Sequence, residues 1–263
     1  MSSPPDWSDG VAYDALHHAD RSVLAWEWLR RDPGYCQSFR DHSEHVSAEA
    51  AAALARWGLH AWVQPALTSR DARPVWRADL HPQVLQARSV ASAAGADSFD
   101  LARWAPLATL IVDGQTSHLL LNDGRLALRL DVDGEPLTAG PVRLHYALNG
   151  FASLSAPLST LLRLRQIMRT GEIGAPSAIS PFRRARDVLL LRIWDGHRSE
   201  ASQREIGRVL FGEERADRDW DGPSDSLRSR VRRLVRDART MARGGYRVLL
   251  RMDGRSSGGP SRR

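Results

Sequence analysis

The residue types with a chemistry of their own in this sequence are arginines. Arg228, Arg232, Arg236, Arg239 and Arg243 recur at helical spacing, with Ser229, Arg233 and Thr240 beside them. Set out at about 100° per residue from Leu227, the five arginines fall between about 100° and 180°, and the flanking three widen the band to about 240°. The other side is apolar, with Leu227, Val231, Leu234, Ala238 and Met241 in steps of 4, 3, 4 and 3. Like charges four apart on a helix repel by a few tenths of a kcal/mol per pair. Phosphates relieve that repulsion and add a salt-dependent attraction, and guanidinium groups also meet guanine edges in bidentate fashion. The chemistry such a ridge can do is polyanion recognition.

Bond-making chemistry finds less support. The chain contains no Lys, so a G-x-x-x-x-G-K-[ST] phosphate loop is excluded, and neither a G-x-G-x-x-G turn nor a G-x-S-x-G elbow is present. His17 and His18 with Asp20, and His42 with His45, have ligand types at helical spacing. No third ligand is near in sequence, so they are read as surface or core residues. Cys36 beside Tyr35 reads as a small buried hydrophobe rather than a nucleophile. Asp131 and Asp133 read as turn formers rather than a general acid and base. Trp26, Trp28, Trp57 and Trp62 read as packing residues of an N-terminal domain. No catalytic residue, cofactor or metal is expected. The single cysteine excludes an internal disulfide and a zinc cluster of several thiolates. No apolar run reaches the roughly 18 to 20 residues of a membrane span, and MSSPPDWSDG lacks the basic and apolar regions of a secretory signal. The expectation is a cytoplasmic protein with no membrane partner.

Charge is unevenly distributed. From Pro181 onward 21 Arg face 12 acidic residues, a net of +9, whereas the preceding 180 residues hold 16 Arg and 19 acids, a net of −3. A near-neutral front with a basic final third is the footprint of a polyanion-binding module.

The elements that position these residues follow from periodicity. A helix is predicted from Ala12 to about Arg31, stopped by Asp32-Pro33-Gly34, and a second from Ser47, its N-cap, to Trp57 before Gly58. Three apolar segments near Pro106–Val112, Ser117–Leu121 and Arg125–Val132 are set off by Asp113-Gly114, Asn122-Asp123-Gly124 and Asp133-Gly134, with a fourth at Val142–Leu148. These are hairpin signals, so residues 75–150 read as a small antiparallel sheet. Helical period returns from Leu158 to Gly171, Thr170 to Pro181 reads as a linker, and the tail after Asp253 as flexible. The expected fold class is α+β. An N-terminal helical domain (10–62) would precede the β segment (75–150), a helix and linker (156–180), a helix-turn-helix-like unit (181–253) and a tail (254–263).

Within 181–253 three helices are expected. The first, Phe182 to Trp194, is largely buried. The second, SQREIGRVLFG, opens with the capping-box spacing Ser202 to Glu205 and places Ile206, Val209 and Leu210 on one stripe. Gly207 costs about 1 kcal/mol relative to Ala, tolerable where helices cross closely. The third, after Pro223 with Ser224 as N-cap, is the Arg-ridged helix, and Tyr246–Leu250 would return as a strand or wing. The connection GEERADRDWDGP is longer than the usual turn of about 3–4 residues, with Trp220 as its anchor. In helix-turn-helix proteins the N-terminal part of the recognition helix meets the bases. Ser226, Arg228, Ser229, Arg232 and Arg233 are therefore assigned to bases or nearby phosphates, and Arg236, Arg239 and Arg243 to phosphates alone.

The segment from RRARDVLLLRIWDGHRSEASQREIGRVLFG through LRSRVRRLVRDARTMARGGYRVLL resembles the RovC-like DNA-binding domain of proteobacterial transcription factors. Its marks are SQREIGRVLFG, RVRRLVRDAR and GGYRVLL. AWEWLRRDPGY, Ala25 to Tyr35, resembles the small transcriptional regulator-like domain found in front of it. The resemblance implies a transcriptional activator, often tied to secretion systems, plasmids or integrative elements, and it transfers no catalytic residue.

Together these readings describe a sequence-specific regulator of double-stranded DNA. Its expected partners are RNA polymerase and further copies of itself, in the nucleoid. The alternatives are a replication or transfer initiator of a mobile element and an adaptor for an acidic protein.

Overall fold

The computed structural model describes residues 5–174, 181–220 and 226–251 of the 263. Two bodies of packed side chains make up the fold, α-helical at both ends of the chain and β in the middle. That is the α+β class read from the sequence.

The N-terminal region is more broken than a single helix. A 3-10 turn over Val11–His18 precedes α1 (Arg21–Leu29), and α2 (Pro33–His42) and α3 (Ala48–Trp57) follow. Asp32-Pro33-Gly34, expected as a stop, is also a start. The Asp32 carboxylate accepts from the Gly34 and Tyr35 amides and Pro33 fills the first turn of α2, where its missing N–H costs nothing. Ser47 caps α3 by accepting from the Ala50 amide. Tyr35 is the aromatic centre, meeting Trp26, Trp57 and Trp62 at centroid distances of 5.7, 5.6 and 5.9 Å. The tryptophans pack this domain, as expected.

The middle forms a five-stranded sheet of β1 (Leu85–Ala91), β2 (Ala108–Asp113), β3 (Thr116–Asn122), β4 (Ala127–Gly134) and β5 (Val142–Ala147), in the order β2-β3-β4-β1-β5. The hairpin turns fall where Asp-Gly and Asn-Asp-Gly predict them. At Gly124, φ is +91° and an added Cβ would stand 2.8 Å from the Arg70 carbonyl oxygen, so only glycine fits. One pairing corrects the antiparallel reading: β1 runs parallel to β4, Leu85 opposite Leu130. The β2–β3 hairpin intervenes between them and lets the chain return to β4 in the same direction. β1, absent from the segments read in the sequence, is a short alternating stretch, LQARSVA, with few large apolar residues.

A second correction follows from β4. Asp131 and Asp133 lie in the strand and do not form its turn. Asp133 accepts from the Thr116 hydroxyl at 2.5 Å, while Asp131 sits on the buried face beside Arg129 at 2.7 Å and His118 at 2.5 Å. One face of the sheet packs Leu119, Leu121, Leu128 and Leu130 against Leu164 and Ile167 of α4 (Ser155–Thr170). The other carries Leu120, Arg129 and Asp131 toward the segment containing His60, Trp76 and His81, with the Arg129 Nε donating to the Trp76 carbonyl at 3.1 Å.

The C-terminal helices are α5 (Pro181–Arg198), α6 (Gln203–Phe211), α7 (Glu213–Asp219), α8 (Ser226–Ala242) and the short α9 (Val248–Arg251). They share one hydrophobic core with the N-terminal helices. Tyr13, Trp26, Trp28 and Leu29 lie in the same cluster as Leu190, Ile193, Val231, Tyr246 and Leu249. At the centre of this joint is an ionic knot. Asp195, 1 % exposed, accepts from Arg31 Nε and Nη2 at 2.7 and 2.8 Å and from the Tyr13 hydroxyl at 2.8 Å. Arg31 Nη1 also pairs with Glu27. Burial alone would raise Glu27, but Arg31 and Arg30 beside it hold it at about 2.

Two predictions follow from this packing. Asp195→Ala leaves the buried Arg31 with Glu27 alone and the Tyr13 hydroxyl without its acceptor. It is expected to cost about 3–5 kcal/mol, read as a lower urea midpoint. Burial, then Arg129, holds the His81 imidazole at about 4, and burial, then His118, does the same for His60. The unfolded chain takes these protons below about 6.5 and the folded one only near 4, so stability is expected to fall as pH drops through that window. Urea unfolding between pH 7 and pH 4.5 checks it, and His81→Gln should flatten the decline.

Candidate nucleic-acid interface

The interface is built from α6 outward. Ser202 accepts from the Glu205 amide at 3.2 Å while the Glu205 carboxylate accepts from the Ser202 amide at 2.7 Å, which completes the capping box. Ile206 and Gly207 face inward. The long connection after Gly212 is largely helical: Gly212, at φ +90°, turns the chain straight into α7. Residues 221–225, with the expected N-cap Ser224, lie outside the described residues. Trp220 does anchor the connection. A Cβ added at Gly207 would stand 2.8 Å from Trp220 Cζ3 and 3.6 Å from Val231 Cγ2. The glycine thus lets the Trp220 ring and α8 close onto α6.

α8 buries Leu227, Val231, Val235 and Ala238, with Leu234 and Met241 half-buried. The sequence seam placed the core on Leu234 and Met241 rather than Val235. The buried line is therefore turned by about 35° toward Val235, and the residues pointing most directly outward are Ser229, Arg233, Arg236 and Thr240. Arg228, Arg232, Arg233, Arg236, Arg239 and Arg243 are all exposed. Ser226 begins the helix, and its side chain lies outside the described residues.

Electrostatics separate this helix from its supports. Arg204 and Arg208 of α6 both meet Asp217 of α7, at 3.3 and 2.7 Å, and Arg215 meets Asp219 at 3.6 Å. On α8, Arg228, Arg232, Arg233 and Arg243 have no ion-pair or hydrogen-bond partner for their guanidinium groups among the described residues. Arg236 makes only a 3.9 Å approach to its neighbour Asp237. Arg230, off the ridge, lies over the Phe211 ring at 4.7 Å. Among the described residues no ion pair offsets the mutual repulsion of Arg228, Arg232, Arg233 and Arg243, as on a surface that meets an anion.

α8 packs on α5. Asp237 and Arg239, on opposite flanks of α8, reach opposite ends of α5: Arg186 meets Asp237 at 2.8 Å, and Arg239 Nε donates to His197 Nε2 at 3.2 Å. The segment expected as a strand or wing is instead a 3-10 turn over Gly245–Arg247 followed by α9. Tyr246, Leu249 and Leu250 are buried there, because the core beneath α1 takes their side chains. The Arg186 and His197 contacts were not read from the sequence. Their signal was the spacing Arg186, Leu190, Ile193, His197, one helix line with apolar centre and polar ends.

The ligand types singled out in the sequence do not converge. Asp20 is buried and bound by Arg163 at 2.9 Å and by the Ala127 amide at 2.6 Å, and His42 stacks on Trp62. Among the described residues the one group with metal-ligand spacing is His60, His118 and Asp131. There the His60 and His118 rings stack at 3.6 Å, and both Asp131 oxygens are engaged, by His118 and Arg129 on one and Gln86 on the other. Arg129 holds the place a cation would take. The Cys36 thiol is pushed up by burial and donates to the Arg30 carbonyl, the opposite of an activated nucleophile.

An exposed arginine face without ion-pair partners among the described residues, beside α6 and α7 whose arginines pair with Asp217 and Asp219, has the electrostatic footprint of a nucleic-acid-binding surface. Residues 150–251 match the family described as "T6SS, Transcription factor, DNA binding domain", and residues 6–60 match the proteobacterial transcriptional regulator-like domain. Both matches are to domains of DNA-binding transcription regulators. No curated protein matches it. The first match begins before α4, so this domain contributes helices to both packed bodies. No helix of the described residues is long and apolar enough to cross a membrane.

Gly207→Ala tests the support. Ala favours an exposed helix by about 1 kcal/mol over Gly, yet here the Trp220 clash should reverse the sign. The expected result is a lower melting temperature with altered tryptophan fluorescence.

Proposed function

We propose that the chain is a sequence-specific transcriptional activator of double-stranded DNA that reads the major groove with α8. The observation that carries this reading is the exposed outer face of α8, where Arg228, Arg232, Arg233 and Arg243 have no ion-pair partner among the described residues, while Arg204 and Arg208 of α6 and Arg215 of α7 pair with Asp217 and Asp219. Ser226, Arg228, Ser229, Arg232 and Arg233, in the N-terminal half, reach base edges or adjacent phosphates. Arg236, Arg239 and Arg243 hold phosphates. The protein acts without a catalytic step or cofactor, in the cytoplasm on nucleoid DNA.

Activation calls for contact with RNA polymerase, and regulators of duplex DNA pair through symmetry. Exposed Leu162 on α4, 56 % accessible, and fully exposed Phe151 support a protein-contact role for the α4 side.

The test is quantitative binding to cognate and random duplex. Arg233→Ala is expected to cost about 1–3 kcal/mol on the cognate site and to relax its sequence preference. Arg243→Ala should weaken both duplexes alike and lower the salt slope by about one. Equal effects of the two variants on the two duplexes would overturn the assignment of roles.

A further inference from the structure

We propose that α5 is a phosphate clamp set across the groove that α8 enters, its two ends facing phosphates of opposite strands. The inference rests on the groove-reading role proposed for α8 and adds a second set of contacts to it.

The geometry comes from one line of α5. Arg186, Leu190, Ile193 and His197 stand at i, i+4, i+7 and i+11, one face of the helix. Leu190 and Ile193, at 2 % and 0 % exposure, are buried in the core that also takes Val235 and Ala238 of α8. The ends of the line emerge on either flank of α8, Arg186 beside Asp237 and His197 beside Arg239. Eleven residues of helix separate them by about 16 Å. A B-form major groove is about 12 Å wide, so the two ends straddle the groove that α8 would fill.

Each end has the chemistry for phosphate. The Arg186 side chain is 49 % exposed, and its ion-pair partner among the described residues is a surface carboxylate, Asp237, that also lies beside Arg236. Arg183 is one turn away. At the other end Arg239 donates to His197 Nε2, so the proton of the neutral ring lies on Nδ1, a donor with no acceptor among the described residues. Burial, then Arg239, keeps that imidazole below its ordinary value. His197 holds the Arg239 guanidinium on this flank of α8. Guanidinium groups thus stand at both sides of α8 as well as along its outer face.

The experiment uses the full chain and a duplex bearing the site that the chain selects from a random pool. Binding is titrated over salt, and single phosphates on either strand are replaced by uncharged methylphosphonates. Arg186→Ala should lower the salt slope by about one, a loss of about three- to fourfold per fourfold rise in salt removed from the dependence. It should also abolish the penalty of methylphosphonates on one strand flanking the site. His197→Ala should abolish the penalty on the other strand. Site preference should survive in both, and melting temperatures near the parent's exclude a folding effect. If both variants respond to the same strand, or neither alters phosphate sensitivity, while Arg233→Ala still loses site preference, the clamp is overturned and reading by α8 stands. If Arg233→Ala and Arg243→Ala also leave binding unchanged, the reading beneath it fails.

Discussion

The placement of α8 depends on the buried contact between Arg31 and Asp195. Arg31 belongs to the turn after α1 and Asp195 to α5, so a single bidentate pair welds the N-terminal helices to the helix on which α8 lies. Its surroundings make it rigid. Tyr13 donates to the same carboxylate, and Glu27 takes the remaining guanidinium nitrogen. A buried charge without these partners would be strongly unfavourable, so the helices have few alternative orientations. The regions that match the regulator-like and the DNA-binding families are thereby joined through one packed core.

A second buried carboxylate ties in the sheet. Asp20 accepts from the Ala127 amide at the start of β4 and pairs with Arg163 of α4, and burial raises its affinity for a proton against the pull of that arginine. Asp20 and Asp195 thus act at the two sides of the N-terminal helices. One joins them to the β body and the other to the C-terminal helices. Both aspartates are matched by arginine, whose planar fork can satisfy several acceptors in a confined space.

The same residue type serves opposite ends elsewhere. In a chain whose only strong cation is arginine, buried guanidinium groups build the frame, surface ones on α6 and α7 cancel against Asp217 and Asp219, and Arg228, Arg232, Arg233 and Arg243 of α8 have no ion-pair partner among the described residues. This difference in partners, rather than the number of arginines, marks out α8.

Much of the frame was legible in the residues themselves. Capping signals at Ser47 and Ser202, the Asn-Asp-Gly turn before β4 and the apolar period of α8 are local rules, and local rules fix local elements. The ridge of arginines was visible for the same reason. The partners across the chain were not. Nothing near Asp195 announces Arg31, 164 positions away, and nothing in LQARSVA announces a parallel neighbour, because such pairings are chosen by the packing of the whole. The turn of the α8 core toward Val235 and the burial of YRVLL as helix have the same origin: the shape of the cavity offered by α1, α5 and α6. The sequence determined that a cationic helix exists and which residues line it. Only the tertiary structure decided how that helix lies on α5, because that follows from contacts between segments that no local pattern encodes.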